Sequence, residues 1–326
     1  MKAWLIRTQG DRMVFEQRDV PLPVPKPGEI VVRVHASSLN RGELIAGHGL
    51  HTGDAAQPAG TEAAGIVHAV GDGVTQVKIG DRIMGRARGG FAEYARLAAH
   101  QAIALPERLS FLQGAAIPLV FLTAYDLLWT YGKLQAGEWL LVTGVSSGVG
   151  VACTQCAKVI GARVIGTSGS DEKLAKLKAA GLDVGIRSRQ PDFAAAVKEA
   201  TGGKGANLAV NCVGGTVFPE ILRALAYQGR VGIVGYVDGV VRSEIDLDAV
   251  HAQRLQVYGV SNKNATPAMR AEAVRNFVRD VLPAFADGRI APLIDRVYPF
   301  DDLPSAQQHM ESNAQVGKIV LQVLEA

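Results

Sequence analysis

The sequence predicts an α/β protein in which a small β barrel is followed by a doubly wound parallel sheet. In residues 1–105, short apolar runs alternate with turns rich in Gly and Pro, a pattern typical of small β barrels. From Glu138 to Val260, strand-like runs alternate with helix-like segments, which indicates a parallel sheet with crossover helices. The first strand and helix of that region are joined by the glycine-rich stretch Leu140–Gly150. The 326 residues are enough for two domains.

The N-terminal region contains the predicted barrel strands. Proline and glycine residues between Pro21 and Gly28 forbid regular structure between the first two strands. The predicted strands are Val14–Gln17, Ile30–Ala36, Ala64–Val70, Arg82–Gly85 and Phe91–Leu97. A mostly helical stretch follows over Ser110–Tyr131, with Ser110 as its N-cap and Pro118 as an interruption.

The second region and the tail have different patterns. Strands of the parallel sheet are predicted at Trp139–Val142, Arg163–Thr167, Val184–Ile186, Leu208–Cys212, Arg230–Val234 and Leu255–Val260. Helices are predicted at Val149–Ile160, Glu172–Ala180, Phe193–Ala200 and Pro219–Leu225. The tail combines a long helix over Pro267–Asp287, a strand at Arg296–Pro299, a helix at Leu303–Glu311 and a strand at Lys318–Val323. Since this tail has no place in the parallel sheet, we expect it to fold back onto the N-terminal domain.

Composition limits the classes of partner and compartment. The net charge is +3 with both signs interspersed, so we expect neither a nucleic-acid surface nor a polybasic membrane patch. The longest apolar runs fall short of the ~18 residues that a membrane span needs. The three cysteines, Cys153, Cys156 and Cys212, are typical of a reducing compartment, which predicts a cytoplasmic protein.

The glycine-rich stretch predicts a binding site for a dinucleotide. Its glycines suit a tight turn, a close approach of the backbone to a pyrophosphate, and close packing of helix on strand. The N–H groups at the start of the following helix would face the phosphates, whose negative charge the helix dipole favours. The alternative is a strand–helix turn without a ligand. The predicted cofactor-binding residues here are Gly144, Ser146, Ser147, Gly148, Val149 and Gly150.

Eight stretches of the chain follow one another in a recognisable order: Ala36–Asn40, Gly60–Val67, Gly80–Arg82, Gly89–Tyr94, Leu122–Tyr125, Leu140–Gly150, Gly166–Ser168 and Gly317–Val320. Together they resemble the medium-chain dehydrogenase/reductase superfamily, in its zinc-free NADPH:quinone oxidoreductase branch. The resemblance implies a discontinuous GroES-like catalytic domain over residues 1–120 and 262–326. It also implies a Rossmann NADP(H)-binding domain over residues 121–261, and a homodimer.

The residues that hold zinc in other branches of the superfamily are missing. Residues 38–41 contain no cysteine, and Thr61 precedes Glu62 where a histidine is expected. Glu62 alone cannot provide the tetrahedral set of ligands that zinc needs. We therefore predict a protein without a metal. Cys153 and Cys156 are predicted to be two small core residues of the helix after the glycine stretch.

The second strand of the parallel sheet runs into Thr167 and Ser168 without the acid that would accept from a ribose 2′-hydroxyl. Its absence permits NADP(H). The resemblance implies that Lys173 pairs with the 2′-phosphate, and Arg187 or Arg189 is the open alternative. A solvated lysine at a helix start is the other interpretation of Lys173.

The resemblance also implies the remaining site residues. Asn40 would lie beside the nicotinamide, and Thr123 would bond its carboxamide; a turn role is the alternative for Asn40. Lys318 would approach the phosphates from the tail. Further cofactor-binding residues are Asn211, Val213, Gly214, Gly235, Tyr236, Ser261 and Asn262, and the substrate pocket would include Ile45, His48 and His51.

Hydride transfer needs a well-placed electron-poor acceptor in a dry site rather than many protein groups. Without zinc there is no Lewis acid to polarise an ordinary ketone, which favours acceptors activated by conjugation. The sequence thus predicts an NADPH-dependent oxidoreductase that transfers hydride to a quinone or an α,β-unsaturated carbonyl compound. The alternatives are an enoyl-thioester reductase of the same fold and a non-catalytic NADPH-binding protein.

Overall fold

The structure is a computed structural model, and it describes residues 1–10, 12–44 and 55–324. The chain divides into two compact units. Unit 1 comprises residues 1–122 and 263–326, and unit 2 comprises residues 123–262. The predicted α/β class, with a GroES-like domain and a parallel-sheet domain, is confirmed.

The N-terminal part of unit 1 consists mainly of strands. They are β1 (Lys2–Gln9), β2 (Arg12–Asp19), β3 (Glu29–Ser38), β4 (Gln57–Pro58), β5 (Glu62–Val70), β6 (Arg82–Arg86), β7 (Tyr94–Ala98) and β8 (Ala102–Ala104). The helices are α1 (Arg41–Leu44), α2 (Phe111–Ala115) and α3 (Pro118–Tyr125), and a π-helical segment, Asp126–Tyr131, continues α3. The predicted helix over 110–131 is thus divided at Pro118, which cannot donate the backbone hydrogen bond that a continuous helix needs.

Unit 2 alternates strands and helices. The strands are β9 (Trp139–Thr143), β10 (Arg163–Ser168), β11 (Val184–Arg187), β12 (Ala206–Asn211), β13 (Leu225–Ile233) and β14 (Gln256–Gly259). The helices are α4 (Gly148–Ile160), α5 (Asp171–Lys178), α6 (Ala194–Ala200), α7 (Phe218–Ala224) and α8 (Leu247–Gln253). All strands are parallel, in the order β11-β10-β9-β12-β13-β14. The order therefore reverses between β9 and β12.

The tail forms α9 (Pro267–Asp280), α10 (Leu282–Ala286), β15 (Ile294–Pro299), α11 (Leu303–Glu311) and β16 (Lys318–Gln322). The single helix predicted over 267–287 is wrong, because the chain forms two helices that meet at Val281. Pro283 lies at the start of the second helix, where its missing N–H costs nothing, whereas in a helix interior it would remove a hydrogen bond.

The tail completes the sheet of unit 1. Strand β16 pairs antiparallel with β3, and the sheet order is β15-β16-β3-β5-β6-β8, with β7 also paired to β3. Strand β1, which the sequence patterns did not predict, is the centre of a second sheet, β2-β1-β4. One buried cluster combines both ends of the chain, including Trp4, Phe91, Phe300 and Ile319. The Trp4 indole donates to the Phe300 carbonyl at 2.9 Å.

Candidate functional site

The switch point of the parallel sheet is where doubly wound folds bind ligands, at the carboxyl ends of the strands. In unit 2 this point lies between the ends of β9 and β12. The predicted cofactor-binding residues of this unit lie at or just after strand ends. They are Gly144 after β9, Thr167 and Ser168 on β10, Arg187 on β11, Asn211 on β12, Gly235 after β13 and Ser261 after β14. The structure thus brings residues from six strands to one edge.

The glycine-rich turn ends at the N-terminus of α4. Ser147 is the N-cap, and its hydroxyl accepts from the Gly150 N–H at 3.1 Å. The N–H groups of Gly148 and Val149 have no acceptor among the described residues. Two unused donors at the start of a 13-residue helix fit a pyrophosphate, which would accept both hydrogen bonds and face the positive end of the helix dipole.

The three glycines have different structural roles. Gly144 adopts φ +64, a conformation that side chains rarely tolerate. Gly150 packs so closely on the turn that an added Cβ would lie 2.6 Å from the Val145 carbonyl oxygen. Gly148 is the first residue of α4 and has no positive φ. The turn conformation and the helix packing therefore depend on Gly144 and Gly150, and Gly148 lies beside the unused donors.

Positive side chains surround the end of β10. Arg187 pairs with Asp171 at 3.1 Å, and the Arg189 Nε donates to the Gly169 carbonyl at 3.2 Å. Lys173 lies in the first turn of α5, whose N-cap is Ser170. Glu172 pairs with Lys176 at 2.8 Å. Both acids at the start of α5 are thus paired with cations. Because these pairs offset the negative charge of the carboxylates, the acids repel a phosphate at this end of β10 less than unpaired acids would.

The loop after β12 is held by its own side chains. The Asn211 Oδ1 accepts from the N–H groups of Val213 and Gly214 at 3.0 Å each, and its Nδ2 donates to the Gly214 carbonyl at 2.9 Å. The Asn211 side chain therefore shapes the turn. A Cβ on Gly214, at φ +133, would collide with the Asp238 carboxylate. Contact of this loop with a ribose would thus come from the backbone of Val213 and Gly214.

Of the remaining predicted residues of unit 2, three lie near these strand ends in sequence, whereas Thr123 precedes the first strand of the sheet. Thr123 lies on α3 and is buried, Tyr236 follows β13 and is exposed, and Asn262 follows β14. Ser146 lies in the turn before α4. Cys153 and Cys156 are fully buried on α4, where burial raises the pKa of both thiols.

Asn40 lies in unit 1 at the centre of a buried polar cluster, which we call the Asn40 cluster: Ser38, Asn40, Glu43, Thr61, Glu62 and Lys318. The Asn40 Nδ2 donates to Glu62 Oε1 at 2.7 Å and to Glu43 Oε1 at 2.9 Å. The Lys318 Nζ donates to the Asn40 Oδ1 at 2.6 Å. The amide is therefore fixed in one orientation by three ionisable side chains, and the Asn40 carbonyl also accepts from the Glu43 N–H at 3.0 Å, as the alternative turn role requires.

Lys318 is held inside unit 1 by three hydrogen bonds of its ammonium group. Its Nζ donates to the Leu39 carbonyl at 2.9 Å and to Glu62 Oε1 at 3.0 Å, besides Asn40. An ammonium group has three N–H donors, so all of them are used within the Asn40 cluster. That Lys318 approaches the phosphates stays a prediction, and in the structure Lys318 orients Asn40 and compensates the charge of Glu62.

The sequence patterns did not identify Glu43 as part of the site. Its Oε1 accepts from Thr61 at 2.6 Å, while its buried Oε2 has no partner among the described residues. Burial raises the pKa of Glu43 from its ordinary value of 4.5 to about 7. Glu62 was a sequence signal for the Asn40 cluster, because an acid at the start of the apolar strand β5 needs polar partners once it is buried. The partners of that acid, however, come from distant parts of the chain.

The Asn40 cluster does not fit a zinc ion. The Glu62 Oε1 already accepts from Ser38, Asn40 and Lys318, and its Oε2 accepts from the Leu119 N–H at 2.8 Å. An ammonium and an amide surround the carboxylate where a metal would need further anionic or imidazole donors. Among the residues that the structure describes, no group of three or more His, Cys, Asp or Glu side chains could hold a metal ion.

The predicted substrate-pocket residues Ile45, His48 and His51 lie outside the described residues. None of the described helices combines the length and the apolar character needed to cross a membrane.

Comparison with known families gives two matches along the chain. Residues 26–107 match the alcohol dehydrogenase GroES-like domain, and residues 148–279 match the zinc-binding dehydrogenase domain. The description of the second family refers to zinc, but the match concerns the sequence of the whole domain. The side chains of the Asn40 cluster do not fit a zinc ion.

Relatives and solved structures cover nearly the whole chain. A quinone oxidoreductase of Rattus norvegicus is 30% identical over 96% of this chain and 94% of its own length. A mycocerosic acid synthase-like polyketide synthase of Mycobacterium tuberculosis is 31% identical over 98% of this chain but 15% of its own length. The structure of Escherichia coli quinone oxidoreductase complexed with NADPH superposes with a TM-score of 0.88 at 28% identity, covering 99% of this chain and 100% of that chain.

Proposed function

Because this chain belongs to the medium-chain dehydrogenase/reductase superfamily, in its quinone oxidoreductase branch, we propose that it is an NADPH-dependent oxidoreductase that reduces quinones or α,β-unsaturated carbonyl compounds without a metal. The main support for this proposal is the arrangement of groups at the carboxyl edge of the parallel sheet. There, the unused N–H donors of α4 lie one strand away from the positively charged end of β10. These two features match the pyrophosphate and the 2′-phosphate of NADPH.

Specific residues of unit 2 are assigned to the cofactor. The N–H groups of Gly148 and Val149 bind the pyrophosphate, and Ser147 fixes the first turn that presents them. Lys173 and Ser168 bind the 2′-phosphate, with Arg187 or Arg189 beside them. When bound, NADPH supplies a hydride. The backbone after β12, β13 and β14 borders the ribose and the nicotinamide, and Thr123 holds the carboxamide.

The acceptor follows from the chemistry of the Asn40 cluster, which offers an amide and no Lewis acid. An ordinary ketone would then lack the polarisation that a metal gives, whereas a conjugated acceptor is already electron-poor. An enone gains a hydride at its β carbon and a proton from water at its α carbon, and the C=C bond becomes a single bond. A quinone gains a hydride and a proton and becomes a hydroquinone. Asn40, fixed by Lys318 and Glu62, orients the reacting ring.

A reductase of enoyl thioesters is the second candidate function. It is supported by the similarity to a segment of the mycobacterial polyketide synthase. The chemistry is the same, because the thioester carbonyl also makes its neighbouring C=C bond electrophilic. The two functions differ in the group that the acceptor carries, which a panel of substrates separates.

We also propose that the protein forms a homodimer through the edge of the parallel sheet. Strand β14 is the last strand of that sheet and carries the exposed Val257, and the exposed Leu247 lies on the preceding helix. Unpaired edge strands with apolar side chains commonly pair with another chain. Light scattering at micromolar concentration tests this: a mass near 34 kDa would contradict it, and twice that mass is expected.

The deciding experiment is a panel assay of NADPH oxidation with 1,4-benzoquinone, a neutral alkenal and a crotonyl thioester. Turnover of the quinone or the alkenal above the thioester supports the proposed function. Turnover of the thioester alone supports the second candidate. Binding of NADPH without turnover of any acceptor would indicate a non-catalytic binding protein. Elemental analysis of the active protein accompanies the assay, and a stoichiometric zinc content would contradict metal-free catalysis.

A further inference from the structure

Arg86 ends strand β6, directly opposite Glu62 on β5. Residues directly opposite each other in an antiparallel pair have their side chains on the same face, with Cβ atoms ~5 Å apart. Because the Glu62 side chain is part of the Asn40 cluster, the Arg86 side chain starts beside that cluster. Arg86 is partly buried, and burial is the largest cause of the lowered pKa of its guanidinium.

Among the described residues, Arg86 has no bonded counterion. Its guanidinium makes no hydrogen bond or ion pair with any residue that the structure describes, although Glu43 and Glu62 attract it through space. The oxygens of Glu62 are already used by Ser38, Asn40, Lys318 and the Leu119 N–H. The charges of Glu62 and Lys318 cancel, and Glu43, with a pKa of about 7, is only partly ionised at neutral pH, so the positive charge of Arg86 is only partly balanced.

Arg82 is an arginine of β6 whose guanidinium has structural partners, and it serves as a comparison for Arg86. It lies on the same strand and face, four residues earlier. Its Nη2 donates to the Leu109 carbonyl at 2.7 Å, and its guanidinium lies 4.9 Å from the centre of the Phe111 ring. Arg86 has neither kind of partner. Burial and the nearby charge of Arg270 lower the pKa of Arg86 to about 10, which is the direction expected for a cation without a paired anion.

We propose that Arg86 binds a carboxylate carried by the acceptor itself, next to the double bond that is reduced. A guanidinium presents five N–H donors in a planar fork that matches a carboxylate. Since Arg86 lies beside the Asn40 cluster, the anion that it binds would lie next to Asn40, which the proposed function assigns to the acceptor. The preferred substrates are therefore anionic enones such as 4-oxo-2-enoates. This inference rests on the proposed function and narrows its substrate class.

The test compares 4-oxopent-2-enoate with its methyl ester, which has the same conjugated ketone without the charge. The wild type is expected to show a kcat/KM for the acid about tenfold or more above that for the ester, the size typical of a charge-assisted hydrogen bond. In Arg86→Met this ratio falls about tenfold or more, to the value that the intrinsic reactivities of acid and ester set, and Arg86→Lys gives an intermediate ratio because it keeps the charge but not the fork. Arg88→Met is the matched control: Arg88 lines a separate cavity with Trp4 and Tyr94, so its loss should leave the ratio unchanged.

The wild type alone offers a second measurement if the variants fold poorly. Levulinate, the saturated acid, should inhibit reduction of 1,4-benzoquinone more strongly than methyl levulinate. Equal turnover of acid and ester, or equal inhibition by levulinate and its ester, would overturn the inference. A charge effect confined to crotonyl-CoA over crotonyl N-acetylcysteamine would also overturn it, because the bound anion would then be a carrier phosphate. If the protein reduces benzoquinone but shows no preference for acids, this inference is wrong and the proposed function stands. If NADPH is not oxidised with any acceptor, the proposed function itself is wrong.

Discussion

Lys318 donates a 2.6 Å hydrogen bond to the Oδ1 of Asn40, joining residues 278 positions apart in the chain. The same ammonium pairs with Glu62 at 3.0 Å, and both charged side chains are almost fully buried. The last strand of the chain thus determines how Asn40 is presented at the end of β3. This contact is the basis of the first prediction.

Lys318→Met is expected to destabilise the protein by about 3–5 kcal/mol, because it leaves the buried Glu62 carboxylate without its counterion. Urea unfolding at pH 7 measures the change. The double variant Glu62→Gln/Lys318→Met should recover part of the loss, since neither charge remains. A single variant within 1 kcal/mol of the wild type would contradict a stabilising role for the pair.

Glu43→Gln is expected to change how stability depends on pH. The pKa of Glu43 is raised from 4.5 to about 7 in the folded protein, so the folded state binds more protons between these values. The stability that this group contributes is therefore present below pH 4.5 and lost as the pH rises through 7. At pH 8 the glutamine variant should be more stable than the wild type, by up to about 3 kcal/mol.

Thermal or urea unfolding from pH 4.5 to pH 8 measures the effect of this substitution. Glutamine is the suitable replacement because its oxygen can still accept from Thr61 and Asn40. Parallel stability profiles for the wild type and Glu43→Gln would show that Glu43 does not titrate in this range.

Lys173→Ala is expected to weaken NADPH binding tenfold or more and to affect NADH binding little. A charge-assisted hydrogen bond to phosphate is worth roughly 1.5–3 kcal/mol, and only NADPH carries the 2′-phosphate. Titration with both cofactors measures this. Lys176→Ala is the matched control on the same helix, because Lys176 pairs with Glu172. If both cofactors lose affinity equally, Lys173 does not bind the 2′-phosphate, and Arg187 and Arg189 are tested next.

Gly148→Val and Gly150→Val should separate binding from folding. Valine at Gly148 places a branched side chain beside the unused N–H donors, so NADPH should no longer raise the melting temperature, although the variant still melts cooperatively. In the wild type, NADPH at a hundredfold excess over its dissociation constant should add about 2.7 kcal/mol. Gly150→Val should lose about 2 kcal/mol or more of stability, because its Cβ meets two backbone carbonyls. Wild-type NADPH binding by Gly148→Val would show that the turn does not hold a pyrophosphate.

The sequence by itself determined the parallel sheet and the start of its binding edge. The strand, the turn and the helix at Leu140–Ile160 depend on the periodicity of apolar residues, on the positions of the glycines and on the N-cap of the helix. These three signals lie within a short span of chain, so they can be recognised from the local sequence. The same local rules predicted the strand ends where Thr167, Ser168 and Asn211 lie. The local rules failed for the helix predicted over 267–287, because a second helix begins there, with Pro283 at its start.

Only the tertiary structure decided what the polar side chains do. The residues around Asn40 come from β3, α1, β5 and β16, and nothing local in the sequence shows that Lys318 uses its three donors there. The pKa of Glu43, and the lack of a bonded partner for Arg86 among the described residues, likewise depend on how much water the folded unit excludes and which partners already occupy Glu62. Burial and hydrogen-bond partners are set by contacts between residues distant in the chain, so no pattern of spacing contains them.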